Sequence, residues 1–272
     1  QYGLFDCWSR RAEMFRLAVF QSPSALNGPQ ERLTWLEASL RKISGRGVDL
    51  VLLPELFMTG YNMGSNLEAW AEASDGPFAK AVGDLAARYG TAIHYGYPER
   101  AGETIYNAAQ CIGPDRCRLG GHRKLILPPG FEADHFSHGA GCALFTYRGL
   151  RIATLICFDI EFPEIARHAA VQGADLLLVP TALGSQWGWV GRTMVPTRGF
   201  ENGIFLAYAN HSGCENGMSF LGESFVSTPD GRELARAGAG EELLTVEIDA
   251  AIVTAAQARL PYLSDRLKIA LP

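Results

Sequence analysis

The sequence predicts an α/β protein built on two mixed β-sheets. Apolar runs typical of buried strands alternate with stretches in which apolar residues recur every three to four positions, as on one face of a helix. Short turns between neighbouring strand-like runs predict β-hairpins within this alternating order. Because a single doubly wound sheet is built mainly from βα units, the added hairpins favour two mixed sheets.

The first half of the chain is predicted to hold three strands joined by two helices and followed by a hairpin. Leu33, Leu36 and Leu40 have the spacing of one helical face. The turn from Gly113 to Asp115 separates the two hairpin strands. The predicted elements are strands Leu17–Phe20, Val48–Leu53 and Ala92–Tyr97, helices Gln30–Ile43 and Pro77–Tyr89, and hairpin strands Thr104–Ile112 and Arg116–Gly120.

The second half repeats this order. Arg148 and Gly149 form a turn between two strands, and Pro229 to Gly231 form a second turn. The predicted elements are strands Ala143–Tyr147, Ile152–Ile156, Leu176–Val179, Ile204–Ala209, Ser224–Ser227 and Leu243–Ile248, with helices Phe162–Gln172 and Met194–Asn202.

Length and composition favour one domain. The chain has 272 residues, 47% of them hydrophobic, and no Pro/Gly/Ser-rich linker divides it. We expect residues 14–272 to form this domain and residues 1–13 to be an N-terminal extension or a tag remnant. The net charge of -5 argues against nucleic acid or an anionic membrane as partner. No apolar run reaches the ~18 residues of a membrane span.

The six cysteines form no CxxC pair and no dense framework, so they are interpreted as free thiols in a reducing compartment. With no secretory signal pattern at the N-terminus, this favours a cytoplasmic protein. No His/Cys/Asp cluster has the spacing of a metal site, and we expect neither a metal nor another cofactor.

Cys157 is the most informative residue of the chain. It ends the apolar run from Ile152 and precedes the predicted helix that carries Pro163 in its first turn. A thiol between a buried strand and a helix N-terminus is well placed as a nucleophile, because the helix dipole and free backbone N–H groups favour thiolate and a nearby oxyanion. The alternative is a buried cysteine that acts as a small hydrophobic residue.

Two further reactive side chains lie near the ends of apolar segments. Glu55 follows the strand-like run that ends at Leu53, and Lys124 lies in a basic cluster ahead of an apolar loop. Since the carboxyl ends of strands converge on the ligand crevice in open α/β sheets, Glu55, Lys124 and Cys157 can form one site. Taken singly, Lys124 and Glu55 could equally be solvated surface residues.

With these segments the sequence resembles the nitrilase superfamily of carbon–nitrogen hydrolases. The resemblance extends from about Phe15 to about Asp265 and depends on the order and spacing of several stretches. They are LLPELFMTGY from Leu52, IYNAA from Ile105, HRKLILP from His122, CFDIEFPE from Cys157, GADLLLVPTA from Gly173 and RGFENGIFLAYAN from Arg198. It implies a four-layer αββα sandwich, a Glu-Lys-Cys triad, and pairing of two subunits into an αββα-αββα homodimer or a higher oligomer through residues about 160 to 205.

The resemblance also implies a role for each site residue. Glu55 is expected to be the general base toward the Cys157 thiol and later toward water. Lys124 and the backbone N–H of Phe158 are expected to stabilise the oxyanion. Glu132 matches a second glutamate of the family that orients the lysine or contacts the amide nitrogen, with Asp134 as its competitor.

The remaining inferences concern the substrate. Candidate pocket residues, chosen because they follow strand ends or flank the triad, are Tyr61, Phe131, Phe158, Glu161, Ala182 and Trp187. The stretches are most similar to small bacterial aliphatic and stereoselective amidases, which implies hydrolysis of a small carboxamide to acid and ammonia through a cysteine thioester. Phe158 and Asp159 replace the Trp-Glu typical of true nitrilases.

Two alternatives remain open at this stage. The first is a hydrolase of N-carbamoyl amines or deaminated-peptide amides, although such enzymes usually carry an arginine clamp after the cysteine. Here the segment Asp159 to Pro163 contains no arginine, and only Arg192 and Arg198 could replace it. The second is a non-catalytic sensor that binds small amides.

Overall fold

A computed structural model describes residues 14–270, apart from the side chain of Ser65; the predicted extension at residues 1–13 lies outside this range. The strands in it are β1 (Phe15–Gln21), β2 (Leu50–Leu52), β3 (Ala92–Ala101), β4 (Thr104–Ile112), β5 (Arg118–Arg123), β6 (Leu144–Tyr147), β7 (Leu150–Thr154), β8 (Leu176–Pro180), β9 (Phe205–Ala209), β10 (Cys214–Glu215), β11 (Met218–Ser219), β12 (Phe225–Ser227), β13 (Glu233–Arg236) and β14 (Glu242–Ile248).

The helices surround these strands. They are α1 (Gly28–Ile43), α2 (Leu67–Trp70), α3 (Pro77–Tyr89), α4 (Phe131–His135), α5 (Pro163–Val171), α6 (Val195–Phe200), α7 (Ala250–Arg259) and α8 (Tyr262–Asp265). Pro77 and Pro163 begin their helices, where a missing N–H removes no hydrogen bond. Within residues 14–270, no helix combines the length and apolar character needed to cross a bilayer.

Two sheets of six strands each form the centre of the described chain. Their strand orders are β14-β1-β2-β3-β4-β5 and β13-β12-β9-β8-β7-β6. In each sheet, three parallel strands in the middle (β1, β2 and β3, or β7, β8 and β9) are flanked by antiparallel neighbours. The predicted pair of mixed sheets is therefore confirmed.

The sheets pack face to face with helices outside. Alternate residues of a strand point to opposite faces, so Leu17 and Val19 of β1 join the core shared with the second sheet, in which Ile152 is buried. The intervening Ala18 and Phe20 instead join the core formed with α1 and α3. On the far side of the second sheet, α5 packs through buried alanines that belong to the same continuous cluster of buried residues. This is the αββα layer order that the resemblance implies.

Several local differences separate the structure from the predicted elements. The segment around Glu132, for which no helix or strand was predicted, contains the short helix α4, and the second hairpin strand, β5, runs to Arg123 instead of ending at Gly120. The helix predicted over Met194–Asn202 is α6, preceded by a π-helical turn over Val190–Met194. The elements β13, α7 and α8 were not predicted, since exposed, polar or alanine-rich segments give little periodic signal.

Candidate active site

The three residues of the predicted triad come from turns just beyond the carboxyl ends of strands. Glu55 lies three residues after β2, Cys157 three residues after β7, and Lys124 directly after β5. The turns that carry Glu55 and Cys157 are sharp. Cys157 itself has φ of 43°, and Leu56, next to Glu55, has φ of 48°. Non-glycine residues rarely adopt this conformation, so both turns are held by their surroundings.

Gly96 allows the Glu55 turn to lie directly on strand β3. A Cβ atom at position 96 would lie 2.4 Å from the backbone nitrogen of Leu56 and 2.8 Å from the carbonyl oxygen of Pro54.

The His211 Nε2 atom lies 2.7 Å from the carbonyl oxygen of Glu55. Because burial and the charge of Arg32 lower the pKa of His211 to about 3, the ring is neutral and donates a proton from Nε2 to this carbonyl.

Lys124 lies between two buried carboxylates. Its Nζ atom is 2.7 Å from Oε1 of Glu55 and 2.7 Å from each oxygen of Glu132, and all three side chains are buried. Burial alone lowers the pKa of the Lys124 ammonium, but the two carboxylates outweigh it and raise this pKa above its ordinary value. Lys124 is therefore a permanent cation, fixed in position by Glu55 and Glu132.

Glu55 has one oxygen occupied and one free. Oε1 accepts hydrogen bonds from Lys124 Nζ and from Asn107 Nδ2, the latter at 2.7 Å. Oε2 is buried without a hydrogen-bond partner among residues 14–270. Burial raises the pKa of Glu55 to about 7, and nearby Glu132 adds to this effect while Lys124 opposes it. A carboxylate with this pKa and a free oxygen is suited to accept a proton near neutral pH.

Cys157 begins a 3₁₀-helix over Cys157–Glu161 and lines a pocket with Glu132. Burial and the negative charge of Glu55 raise the pKa of its thiol, while Lys124 and the Thr181 hydroxyl act in the opposite direction. The sequence indicates that the helix terminus favours thiolate; burial opposes this and is the largest influence on the pKa of the thiol. The thiol needs a base when it attacks, and Glu55 is the nearby candidate.

Asp159 connects the turns that carry Cys157 and Lys124. Its carboxylate accepts hydrogen bonds from the backbone nitrogens of Ile156 (3.1 Å), Leu125 (3.0 Å) and Ile126 (2.9 Å). The ring of His122 lies 2.9 Å from the same carboxylate. No role for Asp159 was predicted from the sequence, although a carboxylate two residues after a candidate nucleophile and a histidine two residues before the lysine were the available signals.

Asn107 and Thr181 are two more site residues that sequence reasoning missed. Asn107 Nδ2 donates to Glu55 Oε1 at 2.7 Å and to Glu132 Oε2 at 3.0 Å, so it joins the two carboxylates. Thr181 follows β8, its hydroxyl lies 3.1 Å from the hydroxyl of Tyr208, and it lowers the pKa of the Cys157 thiol. Both lie in stretches that carry the family resemblance, which was the only signal that could have found them.

Next to the candidate triad lies a pocket of about 570 Å³. Five of the six predicted substrate residues line it, and the sixth, Phe131, instead packs against Tyr61 with ring centroids 6.1 Å apart. Tyr61 donates a hydrogen bond to Glu132 Oε1 at 2.7 Å. The lining residues are Tyr61, Pro128, Pro129, Glu132, Cys157, Phe158, Glu161, Ala182, Leu183, Gly184, Trp187, Val190, Met194 and Met218.

The donor set of this site is not that of a metal centre. Lys124 occupies the space between the two carboxylates, and across residues 14–270 no group of three or more His, Cys, Asp or Glu side chains could hold a metal ion. What the cluster offers instead is a proton acceptor, a fixed cation and a thiol beside one pocket.

Comparison with known proteins identifies the family. The sequence model of the carbon-nitrogen hydrolase family matches residues 16–258. A protein described as a hydrolase in the pqqF 5′ region of Pseudomonas protegens is 42% identical over 257 residues, which cover 92% of this chain and 88% of that protein. An (R)-stereoselective amidase from a Pseudomonas species is 32% identical, over 80% of this chain and 79% of its own.

Solved structures agree with this assignment. A double mutant of the amidase from Nesterenkonia sp. AN1, in complex with acrylamide, superposes with a TM-score of 0.82 at 31% identity, covering 97% of this chain and all of that one. A carbon–nitrogen hydrolase superfamily protein from Xanthomonas campestris gives a TM-score of 0.87 at 26% identity, over 95% and 99% of the two chains. The chain belongs to the carbon–nitrogen hydrolase family of the nitrilase superfamily and is a hydrolase of carbon–nitrogen bonds.

Proposed function

We propose that the protein is an amidase that hydrolyses a small carboxamide to the carboxylic acid and ammonia through a thioester on Cys157. The observation that carries this proposal is that the two carboxylate oxygens of Glu55 have different surroundings. One of its oxygens binds the Lys124 ammonium, the other is buried without a hydrogen-bond partner among residues 14–270, and the charge of Glu55 acts on the Cys157 thiol. A nucleophile, a base and an oxyanion-stabilising cation are the groups that amide hydrolysis requires.

In the acylation step, Glu55 Oε2 takes the proton of the Cys157 thiol as sulfur attacks the amide carbonyl. The tetrahedral oxyanion is stabilised by the Lys124 ammonium and by the backbone N–H of Phe158. This N–H lies in the first turn of the 3₁₀-helix, where a donor has no acceptor within the helix. One such donor typically contributes about 10²–10³ in rate.

Collapse of this intermediate needs a proton on the leaving nitrogen, and Glu55 returns the one it took. Ammonia leaves and a thioester remains on Cys157. Glu55 then removes a proton from water, which attacks the thioester through a second oxyanion held by the same donors. The carbon–sulfur bond then breaks, the carboxylic acid is released, and the Cys157 thiolate takes the proton that Glu55 removed from water, so protons balance over the cycle. Glu132 and Asn107 keep Lys124 and Glu55 in position throughout.

The pocket supports a small, partly apolar acyl group. Its volume of about 570 Å³ lies in the ordinary range for small-molecule sites, and Phe158, Trp187 and Met194 supply apolar surface. Structures of the related Nesterenkonia amidase are described in complex with acrylamide and with butyramide, which are primary carboxamides of this size.

A test of this proposal is ammonia release from acrylamide, propionamide, butyramide and an N-carbamoyl amine, measured side by side. We expect the wild type to release ammonia from the simple amides and Cys157→Ala to release none. Cys117→Ala, which removes an exposed thiol outside the pocket, is the matched control and should keep full activity. Unchanged turnover in Cys157→Ala would reject the mechanism.

The same panel separates the two alternatives. Preferred turnover of the N-carbamoyl amine would favour that hydrolase class. Tight binding of amides without any ammonia release from the wild type would favour a sensor.

We also propose that the protein is a cytoplasmic homodimer that pairs through residues about 160 to 205. Exposed apolar side chains in that region, Val171 and Trp189, and the free thiols of the described chain support this arrangement. Sedimentation velocity should give the mass of a dimer, and Trp189→Glu should shift it toward the monomer. A monomeric wild type at micromolar concentration would contradict the proposal.

A further inference from the structure

Among the described residues of the pocket lining, Glu161 is the one carboxylate that the proposed chemistry does not use. It ends the 3₁₀-helix that Cys157 begins, and its side chain is half-buried. No described residue donates a hydrogen bond to its carboxylate. Glu132, the other acid of the lining, is instead fully engaged by Lys124, Tyr61 and Asn107. A half-buried carboxylate without a partner, facing a ligand pocket, is available to a ligand.

We propose that Glu161 binds a cationic group of the substrate, so that the protein prefers carboxamides carrying an ammonium a few bonds from the amide. This inference rests on the proposed amidase function. It commits to a class of substrate, cationic amides, as opposed to neutral or carboxylate-bearing ones.

The charges around the pocket support a cation and disfavour an anion. Among its described lining residues none is Arg, Lys or His. Arg198 lies behind the 3₁₀-helix, where it donates to the carbonyl oxygens of Ile160 (3.1 Å) and Glu161 (2.8 Å). Arg192 pairs with Glu223 at 2.7 Å. Arg192 and Arg198 were the two candidates for an arginine clamp that would bind a substrate carboxylate. Because both are already paired, neither is free to do so.

Lys124 does not change this balance, because it is already paired with two carboxylates, those of Glu55 and Glu132. Burial raises the pKa of Glu161, while Lys124 and Arg198 act in the opposite direction. A bound ammonium would favour the ionised carboxylate further. Opposite charges in a half-buried site attract more strongly than on the surface, whereas a substrate carboxylate here would meet only repulsion.

The spacing between Cys157 and Glu161 limits the length of the substrate. A 3₁₀-helix rises about 2.0 Å per residue, so the two Cα atoms are about 8 Å apart along its axis. An ammonium separated from the amide carbon by two to four methylene groups can reach Glu161 while the carbonyl lies at Cys157.

The experiment compares three amides of similar size: 4-aminobutanamide (cationic), pentanamide (neutral) and succinamate (anionic). We expect wild-type kcat/KM for 4-aminobutanamide to exceed that for pentanamide about tenfold or more, with succinamate slowest. In Glu161→Gln the cation-to-neutral ratio should fall to near one while pentanamide turnover changes less than about threefold. Glu161→Asp keeps the charge and should keep the preference. Glu164→Gln, in the exposed first turn of α5, is the matched control and should leave all three rates unchanged.

A binding measurement makes the test independent of turnover. In Cys157→Ala, calorimetry should show tighter binding of 4-aminobutanamide than of pentanamide, and the added Glu161→Gln substitution should remove the difference. A ratio that is unchanged in Glu161→Gln, or a wild-type preference for succinamate, would overturn the inference alone. If no amide is hydrolysed, the proposed function fails; if the cationic amide also shows no binding preference, the inference fails with it.

Discussion

Lys124 and Glu55 are joined by a single hydrogen bond of 2.7 Å, which uses only one oxygen of the carboxylate. The second oxygen is buried and has no hydrogen-bond partner within residues 14–270. Since Lys124 also holds Glu132, the cluster contains two carboxylates and one ammonium. Burying this excess negative charge is what keeps the pKa of Glu55 near neutrality instead of well below it. The same contact thus fixes the cation and prepares the base.

The pKa of Glu55 predicts how activity depends on pH. A base with a pKa raised to about 7 is protonated below that pH and cannot accept the thiol proton. We expect kcat/KM for a neutral amide to fall about tenfold per pH unit below pH 7 and to level off above it. Glu55→Gln should lose at least about 10² in kcat at every pH. A profile that is flat from pH 5.5 to 8 would contradict this role.

Lys124→Met should lower kcat far more than it raises KM, because the contact with the oxyanion exists mainly in the transition state. We expect a loss of about 10²–10³ in kcat for a small amide. The variant should also be less stable by about 3–5 kcal/mol in urea unfolding, since two buried carboxylates lose their counter-ion.

The double variant Lys124→Met/Glu132→Gln separates these two effects. Removing one uncompensated carboxylate should restore part of the stability without restoring activity. Recovery of turnover in the double variant would show that Lys124 acts only by balancing charge.

Gly96→Ala should damage the site without touching any of its polar groups. The added methyl would meet backbone atoms of the Glu55 turn, 2.4 Å from the Leu56 nitrogen, so the turn must move. We expect kcat to fall at least about tenfold, since small displacements of catalytic groups are costly. Gly141→Ala is the control, because open space surrounds a Cβ there. Equal activity of the two variants would contradict the importance of this close approach.

Asp159→Asn should weaken the connection between the cysteine and lysine turns. The amide keeps the shape of the carboxylate but can no longer accept charge-assisted hydrogen bonds from both turns. We expect a loss of about 2–4 kcal/mol in the free energy of unfolding and a lower kcat. Asp134→Asn, on the exposed side of α4, provides the comparison. An Asp159→Asn variant with full activity and full stability would show that the Cys157 and Lys124 turns keep their positions without the Asp159 carboxylate.

The sequence was sufficient for the fold class and for bringing Glu55, Lys124 and Cys157 to one place. Buried strands are marked by apolar runs, and the reactive residues lie just beyond the ends of those strands. Because the carboxyl ends of strands converge on one crevice, the order of the strands brings these residues together. The side chains that hold the catalytic candidates in position could not be predicted from the same pattern. Asn107 lies within strand β4, where nothing in the local pattern marks it as a partner of residues 52 positions before it and 25 after it.

The protonation state of the nucleophile was also beyond the sequence. A helix start after Cys157 favours thiolate, but how deeply the thiol is buried and which charges face it depend on the packing of both sheets. The pocket residues were found by position, and Phe131 was the exception because the helix α4 turns its ring toward Tyr61.

The most direct test of the central claim is to trap the acyl-enzyme. Wild type is mixed with excess butyramide, quenched in acid within one turnover, digested and examined by mass spectrometry. The account predicts that the peptide containing Cys157 gains the mass of a butyryl group in step with the first equivalent of ammonia, and that hydroxylamine removes it. Release of ammonia with no acyl group on Cys157, or with the acyl group on another residue, would contradict the account.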